Sequence, residues 1–458
     1  MTTKKRWRRS MSSASNLLSD EQLQQFVMNG FVVLNVAMPD GFHQEIYDRC
    51  EEIYEVEGNP GNNILPRIPD LQQLFDHPTV TGAFDSILGT DHVMHVHRHG
   101  HLTKGKSEDR GWHKDSYWGY HKIRYHHPRW AMAFYYPQAI HPNNGPTRVA
   151  PGSHLYDERF DTLNDIGQPV LGEAGTIAIV HFDVWHQATA NQTDDNRYMM
   201  KFQFHRMSEP ESGDEGGGWP GNGSPHDIVW SEHWDWLKGR ESGPMGEVDA
   251  AALSSESEPD RMNAGYGLGR NGEASVGVLV DTLLGDNEHA RRAATYGLGV
   301  AGRPAVEGLT DALGQEDEDV RSHAAFALGD MGSRGEGTVA RLVESLTDGS
   351  ERVRHHVAEA LGTIASDAEV AVPALTRALE DEDAQVRYNA AYSLACFGTD
   401  AADAVPALVK ALNDDNRYAS GHAVTALRKI RTPEAVDALL AWMETTRWCS
   451  FTTKDSTF

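Results

Sequence analysis

At 458 residues the chain is long enough for two or three domains, and its 67 acidic against 41 basic side chains leave a net charge of −26, which repels nucleic-acid phosphates. No apolar run approaches the ~20 residues of a membrane span. Cys50, Cys396 and Cys449 are far apart and lack metal spacing, which excludes a disulfide framework and makes a reducing, cytoplasmic setting the expectation.

Residues 1–17 contain the basic run Lys4-Lys5-Arg6-Trp7-Arg8-Arg9 and a Ser-rich piece without the apolar core of a signal peptide, so they are expected to be a disordered tail. Ser19 is placed to cap a helix, with Gln22 at the capping-box position and Leu23, Phe26 and Val27 at helical spacing. Gly30 ends that helix, and residues 31–36 read as a strand. Further helices are expected over residues 42–54, 70–74 and 79–88. In residues 91–101, His95, His97, His99 and His101 alternate with other residues, which on a strand puts four imidazoles on one face. Most are expected to be ordinary interior histidines, with His97 and His99 the two that approach a site.

Residues 112–118 carry the chemistry. His113 and Asp115 are two apart, so a strand presents both to one point. His186 lies 71 residues beyond Asp115 and has to come from another strand. Two histidines and one carboxylate on one side of a metal leave the opposite positions open, as in the facial triad of non-haem Fe(II) oxygenases. Arg197 follows His186 by eleven residues and offers a planar fork to a carboxylate. Together they point to 2-oxoglutarate, which has two carboxylates. His181 and Asp183 form a second His-x-Asp pair, set aside because it would leave His113 without a role. The aromatic segment 116–130 is expected either to form a lid over the open metal position or to cover the mouth of the barrel, and both can hold at once. Strands follow over residues 131–136, 176–182 and 197–204, with turns at 143–146 and 151–153. The regular spacing of short strands argues for an all-β roll. Residues 208–225 read as a loop, residues 228–237 as a helix packing back onto the roll, and the Gly/Ser/Glu-rich residues 239–257 as a linker.

The run from Asn144 to His154, the Gly175–Asp183 stretch leading into Trp185-His186, then Asn191 and Arg197 resemble the phytanoyl-CoA dioxygenase family over residues 18–207. The resemblance implies a double-stranded β-helix (jelly roll) with flanking helices and Fe(II) held by His113, Asp115 and His186. It also implies 2-oxoglutarate paired with Arg197 as cosubstrate, O2 as oxidant, and hydroxylation of a substrate. Related halogenases lack the carboxylate ligand, so Asp115 argues for hydroxylation.

From about residue 259 the chain repeats. Leu268, Leu298, Leu328, Leu361, Leu394 and Leu427 anchor six units. Arg261, Arg291, Arg321, Arg354 and Arg387 stand seven residues before the first five anchors, with Ser420 before the sixth. This predicts a helix pair per unit, an all-α solenoid resembling HEAT-like repeats. The arginines are expected to bond loop carbonyls or an Asp of the next unit. No His of the repeats is followed by Glu, unlike the iron-binding solenoid of deoxyhypusine hydroxylase, so the repeats are assigned no metal.

The expected organisation is a tail (1–17), an oxygenase roll (18–240), a linker (241–258), a solenoid (259–446) and a C-terminal tail (447–458). Residues 1–240 carry 31 acidic and 22 basic side chains, and residues 241–458 carry 36 and 19. The functional expectation is hydroxylation of a small molecule, with the acidic solenoid as a separable arm for a protein partner and no nucleic-acid or membrane partner. The alternatives are a protein hydroxylase that recruits its substrate through the solenoid, and a non-catalytic scaffold.

Overall fold

The structure is a computed structural model and describes residues 16–115, 123–210 and 217–446. The basic tail, Tyr117, Trp118, Tyr120 and His121 of the expected lid, and Cys449 lie outside the described residues. The chain divides into two compact units: residues 16–115, 128–155 and 160–206 make the first, and residues 123–127, 156–159 and 207–446 make the second. Among the described residues, no helix is long and apolar enough to cross a membrane.

The first unit is an antiparallel roll of two sheets. Its strands are β1 (Phe31–Asn35), β2 (His92–Thr103), β3 (Trp130–Tyr135), β4 (Thr147–Val149), β5 (Gln168–Pro169), β6 (Thr176–His181), β7 (His186–Ala188) and β8 (Arg197–Arg206). The larger sheet has the order β1-β6-β3-β8-β2 and the smaller β5-β4-β7. β3, β6 and β8 are buried along their whole length, because each is covered on both faces. The N-terminal helix Asp20–Asn29 has the anticipated capping box. The Ser19 Oγ accepts from the Gln22 N–H at 3.2 Å, and the Gln22 Oε1 accepts from the Ser19 N–H at 3.0 Å. Gly30 ends it at φ 77°, and a Cβ there would run into the His154 ring. The helices Phe42–Val56, Leu71–Phe75 and Pro78–Leu88 follow as expected.

The β2 register shifts between Met94 and Arg98, but His97, His99 and His101 still lie ring to ring along the strand, 6.2 and 4.8 Å apart. His95 packs on Trp130 and His205, at ring separations of 5.3 and 5.6 Å. Beyond the bulge, His99 stands opposite Lys201, His101 opposite Met199 and Thr103 opposite Arg197. The pair that approaches the candidate site is therefore His99 and His101, not His97 and His99. An irregularity of this kind leaves no mark in a strict alternation.

The second unit is a stack of six helix pairs. Their first helices are Glu258–Arg270, Glu288–Ala301, Glu318–Asp330, Glu351–Ile364, Ala384–Phe397 and Arg417–Ile430. The six anchor leucines are buried at the seams between pairs. The arginine ladder takes the anticipated form. Arg321, Arg354 and Arg387 each make two hydrogen bonds to Asp348, Asp381 and Asp414, 27 residues on, at 2.7–3.1 Å. Each also bonds loop carbonyls, as Ser420 does in the last unit through Leu412 O.

Two expectations are corrected here. The helix Asp227–Leu237 belongs to the second unit, where Trp236 stacks on His127 at 4.4 Å and His233 meets Tyr266. Its three tryptophans declare burial but not against what. Residues 125–127 belong to that same unit: Tyr125 packs on Phe326, and the His126 Nδ1 lies 2.8 Å from the Tyr266 Oη. The expected linker is strapped down. The Asn271 side chain bonds Met245 N and Gly246 O, Arg270 bonds Gly243 O, and Leu253 is buried in a short helical turn at Ala250–Ser254. The compact units thus divide at residue 206, not at 240, and the second unit takes in two segments from the first half of the chain.

Candidate metal centre

Residues 107–113 run antiparallel to the chain around β7. His113 and His186 are direct partners, each N–H donating to the other's carbonyl at 3.0 Å. The residue before each histidine is a tryptophan, and alternation sends the two indoles to the opposite face. There Trp112 and Trp185 pack in one cluster with Ala150 and Leu163, and the Trp112 Nε1 donates to the Asn164 Oδ1 at 2.8 Å. This anchor turns both imidazoles inward, with ring centroids 4.4 Å apart.

Each histidine holds its Nδ1 against the carbonyl two residues before it, His113 on Gly111 O and His186 on Val184 O, both at 3.1 Å. A carbonyl only accepts, so Nδ1 carries the proton and Nε2 is left as a lone-pair donor. The Asp115 Oδ2 lies 3.5 Å from the His186 Nε2, and ligand atoms of His113, Asp115 and His186 all fall within 4.8 Å of one another. Burial pulls the His186 imidazole down to about 4, so it is neutral at pH 7. Burial alone would push the Asp115 carboxyl up, but His186 and Lys201 beside it hold it well below the usual carboxylate range. With His186 neutral, the cation that does this at pH 7 is Lys201, whose Nζ donates to the Asp115 Oδ2 at 2.8 Å. Two imidazoles and a carboxylate are the donor set of a divalent transition metal.

Arg197 begins β8 on the face that carries Lys201, four residues or roughly 13 Å further along. It is 1% exposed. Its Nε donates to Gly145 O at 2.9 Å, while Nη1 and Nη2 are buried with no partner among the described residues. A buried guanidinium with two vacant donors carries a penalty of several kcal/mol that an anion would remove. Gly145 has φ 76°, and a Cβ there would press on Thr103, Thr189 and Asn191, so glycine is what lets its carbonyl meet Arg197. Asn191 ties the same corner through Thr103 O and Asp195 O.

Two residues that the motif did not mark join the site. Lys201 is one; only the register of β8 against β2 and β3 reveals it. His101 is the other. Burial and the charge of Lys201 hold its imidazole well below the ordinary value, and its Nε2 is buried with no partner among the described residues. It shares with His99 the wall of a cavity of about 620 Å3 that also takes in Tyr54, Asn59, Ser107 and Arg110. His181 and Asp183 do not join the cluster: among the described residues His181 sits by Phe26 and His154 instead.

Residues 29–199 match the family model of phytanoyl-CoA dioxygenase (PhyH), and residues 306–395 and 372–448 match that of HEAT repeats. Similar solved structures include EctD from S. alaskensis with bound Fe, at 16% identity over 44% of this chain and 81% of that one, TM-score 0.37. The non-haem monooxygenase ThoJ is 20% identical over 41% and 80%, TM-score 0.34. The non-haem alpha-ketoglutarate-dependent carbocyclase SnoK is 19% identical over 42% and 85%, TM-score 0.33. The first half of the chain is thus similar to phytanoyl-CoA dioxygenase over residues 29–199, and the second half is similar to HEAT repeats over residues 306–448.

Proposed function

We propose that the protein is an Fe(II)- and 2-oxoglutarate-dependent dioxygenase that hydroxylates a small polar molecule. The observation that carries the reading is the pairing of two Nδ1-protonated histidines and Asp115 with a buried Arg197 whose terminal nitrogens await an anion. Bound Fe(II), with 2-oxoglutarate and O2, would supply the oxidant for C–H hydroxylation. His113, Asp115 and His186 would hold the iron from one side. The two backbone carbonyls fix the imidazole tautomers before any metal arrives, so no proton has to leave the histidines on binding. Arg197 would take the far carboxylate of 2-oxoglutarate through Nη1 and Nη2, a charge-assisted pair contributing about 1.5–3 kcal/mol. His101, held neutral, presents a nitrogen toward the cavity as a hydrogen-bonding partner for substrate.

His99, His101, Lys104 and Arg110 place hydrogen-bonding groups in a cavity of about 620 Å3, room for a small molecule. The HEAT repeats make a protein partner the second element of the reading, with their acidic surface suited to a basic one. The test is anaerobic reconstitution with Fe(II) and 2-oxoglutarate, exposure to 18O2 and a metabolite-extract screen for label. A labelled small molecule supports the reading. Label found only in bound proteins would move the substrate to the solenoid's partner, and no 2-oxoglutarate turnover at all would leave a scaffold.

A further inference from the structure

The second unit contains its own cluster of metal-ligating side chains, none of them shared with the triad. His127 follows the aromatic segment, and Glu232 and His233 are consecutive on the helix Asp227–Leu237. All three are buried, and one ligand atom from each lies within 4.8 Å of the others. We propose that His127, Glu232 and His233 form a second site for a divalent transition metal.

The distances are close to those an ion needs. Two ligand atoms each about 2.1 Å from a metal are about 3.0 Å apart at a right angle and about 3.4 Å at a tetrahedral angle. The Glu232 Oε2 lies 2.9 Å from the His127 Nε2 and 4.0 Å from the His233 Nε2. A movement of the His233 ring by about 1 Å brings its Nε2 to the spacing that coordination with Glu232 needs. The far side of His127 has the arrangement that metal-bound histidines use: its Nδ1 faces the Asp330 Oδ1 at 3.3 Å. A carboxylate there fixes the tautomer and strengthens Nε2 as a donor. The Tyr266 Oη, 3.2 Å from the His233 Nε2 and 2.8 Å from the His126 Nδ1, borders the same point.

Charge also favours a cation. Glu232 and Asp330 put two carboxylates on one imidazole that is 1% exposed. Arg334 and Arg270 are the opposing charges felt by Glu232; the Arg334 guanidinium is engaged by the carbonyls of Val300, Gly299 and Met331, and Arg270 by Gly243 O and the Ser231 Oγ. The repeats' own histidines take no part in this cluster. Glu232 also lines a cavity of about 600 Å3 with Trp236, Arg270, Val300, Met331 and Arg334, which gives an ion a way in and leaves one coordination position facing the cavity. Without metal, the same geometry accommodates a proton on each His127 nitrogen, so the competing occupant is a buried imidazolium.

The test uses the full-length chain carrying His113→Ala and His186→Ala, so that the triad contributes no ion. After dialysis against Zn(II) and then buffer, metal content is measured by mass spectrometry and melting is followed with and without Zn(II). The proposal expects one ion per chain and a higher melting temperature with Zn(II). Adding Glu232→Gln and His233→Ala to that background should abolish both. No retained ion and an unchanged melting temperature in the triad variant would overturn the proposal, as would an ion undiminished by the added substitutions. If the added substitutions prevent folding, the triad variant alone decides. Failure of the triad reading is seen separately, as a wild-type ion count that His113→Ala and His186→Ala leave unchanged.

Discussion

Lys201→Met removes the cation that neutralises Asp115 in the metal-free protein. Both side chains are about 6% exposed and 2.8 Å apart, so water cannot screen the carboxylate left behind. Breaking a buried pair from one side costs about 3–5 kcal/mol. Asp115 can limit that by taking a proton, which at pH 7 costs about 4 kcal/mol from its ordinary pKa. The expected loss is therefore about 3–4 kcal/mol, or roughly 6–16 °C in melting temperature for a unit of this size. A divalent ion changes the sign of the argument. It replaces Lys201 as the counter-charge of Asp115 and is itself repelled by the ammonium in the wild type. Lys201→Met should thus bind Mn(II) about tenfold more tightly or better, and saturating Mn(II) should restore most of the lost melting temperature. Calorimetric melting with and without Mn(II), alongside direct titration, reads both quantities. An equal loss of stability in both forms, with unchanged Mn(II) affinity, would refute the claim that Asp115 is a metal ligand.

Asp115→Ala should abolish hydroxylation and weaken iron binding by 10-fold or more, while Asp183→Ala leaves iron affinity intact; equal effects in an iron-binding titration would sink the assignment. Arg197→Lys keeps the charge and loses the fork, so the 2-oxoglutarate requirement should rise about 10-fold with Fe(II) affinity unchanged, as read from succinate formation against 2-oxoglutarate concentration. Arg354→Ala strips Asp381 of its bidentate partner between two repeats and should lower stability by about 2–4 kcal/mol in denaturant melts, more than Arg417→Ala at the exposed end. A fragment of residues 1–240 leaves His127 without Asp330, Tyr125 without Phe326 and Asp157 without Arg292, so its soluble yield and melting temperature should fall well below those of the full chain. A fragment as stable and as active as the full chain would restore the separable solenoid arm.

The roll, the solenoid and the candidate ligands were legible because each leaves a short-range signature. His113 and Asp115 are two apart, the leucines recur every 30 or 33 residues, and Ser19 with Gln22 marks a helix start. Lys201 and His101 were not singled out, since their approach to Asp115 follows from the pairing of β8 with β2 and β3, which no local spacing records. His127, Glu232 and His233 come together only through the tertiary packing of segments over a hundred residues apart, and no local spacing announces that. The composition of residues 239–257 misleads for the same reason. Gly- and Ser-rich composition looks like a linker whether the segment is free or, as with Gly243 and Gly246, bonded to Arg270 and Asn271. Composition records the flexibility a chain would have alone, not what its neighbours remove.

The most direct test of the central claim is the conversion of 2-oxoglutarate to succinate by the purified full-length protein without added substrate. Fe(II) and O2 should both be required, succinate should accumulate slowly, and His186→Ala should reduce it to background. Turnover that persists in His186→Ala, or its absence from wild-type protein loaded with Fe(II), would contradict the account.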